Sequence, residues 1–481
     1  MVHDQTQALE GIDASFLYLE SAGVAMQTVK IAVFEPGSAV GFRWGGLREA
    51  VAIAAQQLPA LRRCLVVVPA WLHHPRWIDA AQLDVDAHLE HIELEPGAGD
   101  EALERLVAEA AARWLPRHRP LWRLSVVTGL HEHRLAAIVT LHHSIADGGA
   151  ALGLLEVLTQ AAPGEWTAPT FYGDRLVTYR PSWIHLLWYG LVARIRSLVD
   201  LPKLIWQSMR GWLRARGLRK GRLAKLFAGP RTFFNRTLGR TREFVHLELP
   251  LAELRAIKDG LCVTVNDVLL ALVSGAAARL RAAGELDGPS LICAMPIGAI
   301  SQERAGDERP RLEGNRVANA LVDLHDDLSD PLERVQAIAA STRAAKLNHD
   351  LRGPRRLMAW AEFDAWVWQR LIWAVVRRLR RPPINLIVSN VHGPDEPRYC
   401  GHLRLDQFWS VGPLIHRVGL NLTAWSYAGA VDVSILADGG QWTRARLMGL
   451  RAGLEDECTV LRALAAFGGG VRGASQAVPL P

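Results

Sequence analysis

The sequence predicts two α/β domains joined by a basic helical segment. Three observations carry that prediction. The chain has 481 residues, more than one core of roughly 150 residues organises. Strand-like and helical runs alternate on both sides of residues 171–240. Those central residues concentrate positive charge. With 49% hydrophobic and 22% charged residues the composition is that of a globular protein. The expected division is 1–170, 171–240 and 241–481.

In the first domain, residues 28–34 and 134–141 read as strands, and residues 44–57 and 100–113 carry helical periodicity. His131-Glu132-His133 reads as a polar hairpin tip. The central segment follows. From Arg175 to Arg242 there are sixteen Lys or Arg and one acid, Asp200, a net +15; the whole chain is +6, so the remainder carries −9. That asymmetry points to an anionic partner. Ile184, Leu187, Trp188, Leu191, Ile195 and Leu198 recur at helical spacing, with Arg194 and Arg196 off the stripe. Pro202 is expected to break this helix, and a second to start at Lys203. A Trp/Leu face beside Arg and Lys suits a helix lying in a lipid interface. An interdomain linker whose Trp face packs on the protein is the plain alternative. Trp360, Trp366, Trp368 and Trp373, ahead of Arg377, Arg378, Arg380 and Arg381, repeat the pattern. In the second domain, residues 420–436 are strand-rich, residues 443–465 form a last helix, and the tail lacks periodicity.

Several classes are excluded. No run reaches the ~18 apolar residues of a spanning helix, and the first residues lack a secretory pattern. Cys64, Cys262, Cys293, Cys400 and Cys458 form no CxxC pair, against a disulfide framework or zinc-thiolate site. No nucleic-acid motif is present. A cytoplasmic protein, soluble or peripherally attached to a membrane, is expected.

The chemistry concentrates in His142-His143-Ser144-Ile145-Ala146-Asp147-Gly148. An apolar run, 135–141, precedes it as a buried strand. Asp147, Gly148 and Gly149 suit the start of a helix that Leu152, Leu154, Leu155, Val157 and Leu158 continue. Successive strand side chains point to opposite faces, so one histidine faces a given cleft and the other needs an interior partner. A histidine of ordinary pKa takes a proton from a hydroxyl and returns it to a leaving thiolate. Zinc is disfavoured, because adjacent strand histidines chelate one ion poorly and HExxH is missing. A serine hydrolase lacks its GxSxG elbow.

These residues resemble the HHxxxDG signature of the bacterial wax ester synthase/diacylglycerol acyltransferase family, within the chloramphenicol-acetyltransferase-like superfamily. Further matches follow in the family's order. They are Asp13-Ala14-Ser15-Phe16-Leu17-Tyr18-Leu19-Glu20; Pro120-Leu121-Trp122; Val265-Asn266-Asp267-Val268; Ser389-Asn390-Val391-His392-Gly393-Pro394; and Val411-Gly412-Pro413 with Gly419-Leu420-Asn421. The resemblance runs from about residue 10 to 465. Two positions depart from it: His392 stands where relatives have proline, and Gln27 where many have histidine.

The resemblance implies two chloramphenicol-acetyltransferase-like domains with the site in a channel between them. It implies that His143 is the general base, that His142 supports the site, and that Asp147 is structural, capping the next helix or pairing with an arginine. Asn266 becomes a candidate oxyanion donor, with plain helix capping by Asn266 and Asp267 as the alternative. Pro120, Leu121 and Trp122 would form the site's wall; Gly148, Gly149, Asn390 and Gly393 would border the substrate. Acyl-CoA is the implied co-substrate and no metal or other cofactor is required. The implied acceptor is diacylglycerol, giving triacylglycerol, or a long-chain alcohol, giving a wax ester, at a membrane or lipid-droplet surface. The alternatives are a related CoA-dependent transferase with another hydroxyl or amine acceptor, and a silent lipid-binding protein.

Overall fold

The computed structural model describes residues 6–169, 175–215, 224–298, 311–352, 355–363, 366–376, 378–379 and 381–475. Arg216, Arg219, Lys220, Arg377 and Arg380 of the basic stretches lie outside the described residues, as do the side chains of Trp366, Trp368 and Trp373.

Two six-stranded sheets organise the chain. The first runs Tyr399–Cys400, Leu403–Val411, Gln27–Phe34, Ala136–His142, Trp122–Leu130, Leu89–Ala98. The second runs Val317–Asp323, Ile292–Gly298, Leu386–His392, Leu420–Tyr427, Ala430–Asp438, Arg242–Pro250. A small three-stranded sheet, Gln7–Ala8 with Arg76–Asp79 and Arg63–Val66, completes the first half.

The strands form where apolar and β-branched residues allow burial on both faces. Ala136–His142 and Gln27–Phe34 pair antiparallel in the middle of the first sheet, with Val29 beside Thr140 and Gln27 beside His142. Val29, Ile31 and Val33 turn to one side and pack on Leu103 and Val107 of the helix Asp100–Ala112. In the second sheet, Leu420–Tyr427 and Ala430–Asp438 join through Ala428 and Gly429, whose φ values of 45° and 90° give a tight hairpin. The helices Leu251–Leu261 and Val265–Ala282 and the last helix cover the outer face of this sheet, where the largest core lies.

Three expectations are corrected. The strand Leu403–Val411 belongs to the first sheet, antiparallel to Gln27–Phe34, so the two halves interleave and a cut near residue 240 does not separate them. Buried Phe408, Trp409 and Val411 hold it there. Pro202 does not end its helix, which runs unbroken over Trp183–Ala215. Proline removes one ladder bond, and contacts on both sides keep the helix in line. Arg194 donates to the carbonyls of Leu72 (3.2 Å) and Phe363 (3.0 Å), Leu204 is buried, and Trp360 Nε1 donates to Ser208 Oγ (3.0 Å). Lastly, the final helix spans Arg444–Ser475, past the stretch where periodicity fades.

Candidate active site

The motif histidines close the strand Ala136–His142 and divide their work by facing opposite ways. His142 turns into the protein and is 1% exposed. Its Nδ1 accepts the backbone N–H of Ser144 (3.1 Å) and lies 2.7 Å from Ser144 Oγ. An acceptor Nδ1 leaves the proton on Nε2, which lies 3.2 Å from Glu20 Oε1. Burial alone would raise the Glu20 carboxyl. The contact and charge of His142, followed by those of Arg117, outweigh burial and hold it below the ordinary value. Leu121 fixes His142 from behind, its carbonyl accepting the His142 N–H at 3.0 Å.

His143 continues the opposite face. Its N–H donates to Met26 O (2.8 Å), and its ring stacks on Phe16 with centroids 4.1 Å apart and 17° between planes. Its Nδ1 is enclosed without a protein partner among the described residues, which leaves Nε2 at the ring's open edge. Burial pushes the His143 pKa down to about 4; the charge of Asp147 opposes the shift and that of Lys30 adds to it. The ring is therefore neutral at physiological pH, the state a general base requires.

A strap from the second half holds this loop. Asn315 Nδ2 donates to His143 O (2.7 Å) and to Asp13 Oδ1 (2.6 Å), and the Asn315 N–H adds a bond to the same Oδ1 (2.9 Å). Burial lifts the Asp13 carboxyl to about 8, although the Asn315 bonds work to lower it. Gly314 N donates to Ile145 O (2.6 Å). Asp147 caps the helix Gly148–Leu158 by accepting the Ala150 N–H (2.9 Å). It also accepts the Arg316 N–H (2.8 Å) and the Arg311 guanidinium. Asp147 thus both caps and pairs with an arginine.

The glycines serve close packing. A Cβ on Gly148 would stand 2.8 Å from Val391 Cγ2, one on Gly149 2.8 Å from Arg311 Nη2, and one on Gly153 2.2 Å from Arg311 O. What approaches Gly148 and Gly149 is protein. At Gly393 a Cβ would stand 2.2 Å from Ser426 O. Beside this cavity-facing loop, Asp13, Ser144, Ile145, Arg311 and Asn315 line a polar cavity of about 260 Å³.

Other expected site residues take different positions. Leu121 and Trp122 are buried in the core, Trp122 stacking on His88 and donating Nε1–H to Leu61 O (2.8 Å). With Pro120, also buried, they brace His142 and present no wall to a substrate. Asn266 accepts from Asn390 Nδ2 (2.7 Å). Asn390 lies on the face of its strand opposite to Val391, the residue that reaches Gly148. Among the described residues no hydrogen bond joins Asn266 to His143. Asp267 forms a capping box with Thr264 and accepts from Thr342 Oγ1 (2.6 Å), so its part is structural. His392 contacts Ser426 Oγ at 2.9 Å through Nδ1.

A family model for the wax ester synthase/diacylglycerol acyltransferase catalytic domain matches residues 9–269, and the model of the family's C-terminal domain matches residues 313–449. The chain belongs to the wax ester synthase/diacylglycerol acyltransferase family. A candidate diacylglycerol O-acyltransferase of Mycobacterium tuberculosis is 33% identical over 440 residues, covering 90% of this chain and 91% of that protein. A second from the same organism is 32% identical over 479 residues, covering 95% and 98%. Among solved structures, the wax ester synthase/diacylglycerol acyltransferase of Marinobacter aquaeolei VT8 superposes with a TM-score of 0.67 at 20% identity, covering 95% of this chain and all (100%) of that one. The starter condensation domain of rhizomide synthetase, solved with C8-CoA, has a TM-score of 0.56 at 13% identity, covering 96% and 95%. These two likenesses establish the chloramphenicol-acetyltransferase-like fold.

Sequence reasoning missed the strap and the carboxylate behind His142. Glu20, Phe16 and Asp13 all stand in the N-terminal octapeptide that carried the resemblance, so their presence was visible and their roles were not. Asn315 had only its neighbourhood, Gly314-Asn315-Arg316, as a signal.

Proposed function

We propose that the protein is an acyl-CoA-dependent O-acyltransferase that esterifies diacylglycerol to triacylglycerol, and long-chain alcohols to wax esters, with His143 as general base. The observation that carries this reading is the half-buried imidazole of His143, stacked on Phe16 and clamped at both ends of its own peptide. Nε2 takes the proton of the acceptor hydroxyl, and the oxygen bonds to the thioester carbon. The tetrahedral intermediate then expels the CoA thiolate, which recovers that proton from His143. Only the two substrates are consumed, and no metal or other cofactor enters the reaction. His142 keeps its ring fixed between Ser144 and Glu20 and takes no part in proton transfer.

The lipid acceptor is supported by the surface. On the helix Trp183–Ala215, Leu186, Gly190 and Leu204 face the protein, while Ile184, Trp188, Ile195, Leu198 and Trp206 face outward, Trp188 at 66% exposure. The stripe that a plain linker would bury is the exposed one. Its setting in a stretch of net +15 suits an anionic lipid surface, each nearby cation adding ~1 kcal/mol. Among the described residues no single helix is long and apolar enough to cross a membrane.

Thiol release from palmitoyl-CoA, measured with diacylglycerol, with hexadecanol and without acceptor, tests the reading. Release that depends on an acceptor supports it. Release indifferent to both acceptors, or none at all, overturns it.

A further inference from the structure

One buried ionisable group has no part in the chemistry above. Lys30, 6% exposed, lies in the strand Gln27–Phe34, and its ammonium donates to Thr28 Oγ1 (2.9 Å) and Ser410 Oγ (2.5 Å). The Trp425 ring centroid is 5.4 Å away. Among the described residues no carboxylate stands within ion-pair distance of it. Thr28 in turn donates to Val411 O (3.0 Å). An ammonium held only by neutral oxygens is costly to bury, and natural chains rarely keep one without a use.

Its position suggests the use. Val29, Ile31 and Val33 turn toward the helix Asp100–Ala112, so Thr28 and Lys30 occupy the opposite face of the sheet. Thr28 is paired with Leu141 and Lys30 with Val139. Leu141 shares that face, and His143, two residues on and bonded to Met26 O, continues it. Lys30 and His143 therefore project into the same space between the sheets. The strand Leu403–Val411 closes that space with Ser410, and the second sheet closes it with Trp425.

We propose that Lys30, as its ammonium, supplies a positive charge that offsets the negative charge developing on the thioester carbonyl oxygen. It acts through the field in the site without touching the reacting atoms, as a positioning residue. The proton path is unchanged: acceptor O–H to His143, then His143 to the departing thiolate. While the new C–O bond forms and the C–S bond still stands, the carbonyl oxygen carries the negative charge, and Lys30 is a buried cation with no carboxylate at ion-pair distance among the described residues. The other charged and titratable groups around His143 are already engaged. Asp147 is held by Arg311, Glu20 by His142 and Arg117, and Asp13 by Asn315. The inference rests on the acyl-transfer reading. Failure of that reading shows as no acceptor-dependent thiol release by the unaltered protein; failure of this inference shows only in the comparisons below.

The pH dependence gives the test its sign. Burial pushes Lys30 down to about 7, opposed by the charge of Asp147. The ammonium is thus lost as pH rises through about 7, while His143 gains its proton only as pH falls toward about 4. The two groups bracket the active range, and kcat on a soluble alcohol should be bell-shaped between those limits. Lys30→Met should lower kcat ~10- to 100-fold, less than the ~100- to 1,000-fold of a direct oxyanion donor, and leave KM for palmitoyl-CoA nearly unchanged. It should abolish the alkaline limb, move the acid limb upward, and hold or raise the urea midpoint. Lys30→Arg, whose charge persists at all accessible pH, should stay active and lose the alkaline limb. A wild-type profile flat above pH 7 overturns the proposal. So does a Lys30→Met variant with wild-type kcat and profile. If Lys30→Met does not fold, Lys30→Arg decides, and an unchanged alkaline limb overturns the proposal.

Discussion

Replacing Asn315 with leucine keeps the side chain's approximate volume and removes both amide donors. Two acceptors lose a partner. Asp13 Oδ1 retains the backbone N–H of residue 315, which depends on no side chain. The carbonyl of His143 loses the bond it receives at 2.7 Å. Stranding one buried acceptor costs ~1–3 kcal/mol, and the second bond, to a protonated and neutral Asp13, adds ~0.5–1.5 kcal/mol. A total of ~1.5–4.5 kcal/mol is a large fraction of ordinary stability. Urea unfolding should report it as a lowered midpoint with an unchanged slope.

The same bond orients the peptide that carries the base. Its loss should lower kcat ~10- to 100-fold, since a displacement near 1 Å at the reacting group is worth up to ~100-fold. KM for palmitoyl-CoA should change little. Stopped-flow thiol detection and urea titration on one preparation provide both numbers. A variant that loses stability and keeps kcat refutes the link between strap and base. One that keeps both refutes the reading of the hydrogen bonds themselves.

Further outcomes follow from the same geometry. His143→Ala should cost ~100- to 10,000-fold in turnover with every acceptor while the urea midpoint holds, because its Nε2 supports no other protein group. His142→Ala should chiefly cost stability, leaving Ser144 Oγ without its ring partner and Glu20 with Arg117 in place of two partners, and the reverse pattern in the two variants would exchange their roles. Asp13→Asn keeps an acceptor for Asn315 and removes a carboxyl that burial lifts to about 8. Since the unfolded Asp13 loses its proton near 3.8 and the folded one near 8, wild-type stability from this group falls as pH rises between them. The variant should gain on the wild type from pH 4 to 8 in thermal scans, and parallel curves would reject the assignment. Trp188→Glu with Trp206→Glu should weaken binding to anionic vesicles and slow turnover of vesicle-dissolved diacylglycerol while sparing a soluble alcohol; equal losses on both acceptors would end the membrane role.

Local chemistry was legible and long-range pairing was not. The strand before His142, the turn at Asp147 and the helix after Gly148 follow from runs of apolar residues and one capping aspartate, all within about twenty positions. The division between His142 and His143 also follows, because strand geometry alone sends neighbours to opposite faces. What no periodicity announces is a contact between residues hundreds of positions apart. The Asn315 bond to His143 spans 172 residues, its bond to Asp13 spans 302, and Lys30 meets Ser410 across 380. Patterning within one segment does not say which distant residue satisfies its polar groups. Lys30 is the clearest case. A lysine alternating with Val29, Ile31 and Val33 reads as the solvent side of a half-buried strand, yet Ser410 of the strand Leu403–Val411 and Trp425 of the second sheet enclose it. Pro202 errs in the other direction, a local breaker signal overridden because Arg194 and Ser208 anchor the helix on either side of it. Where a polar residue contradicts its segment and is nonetheless buried, the compensation has to come from a distant part of the chain. In this family member those compensations converge on the space beside His143.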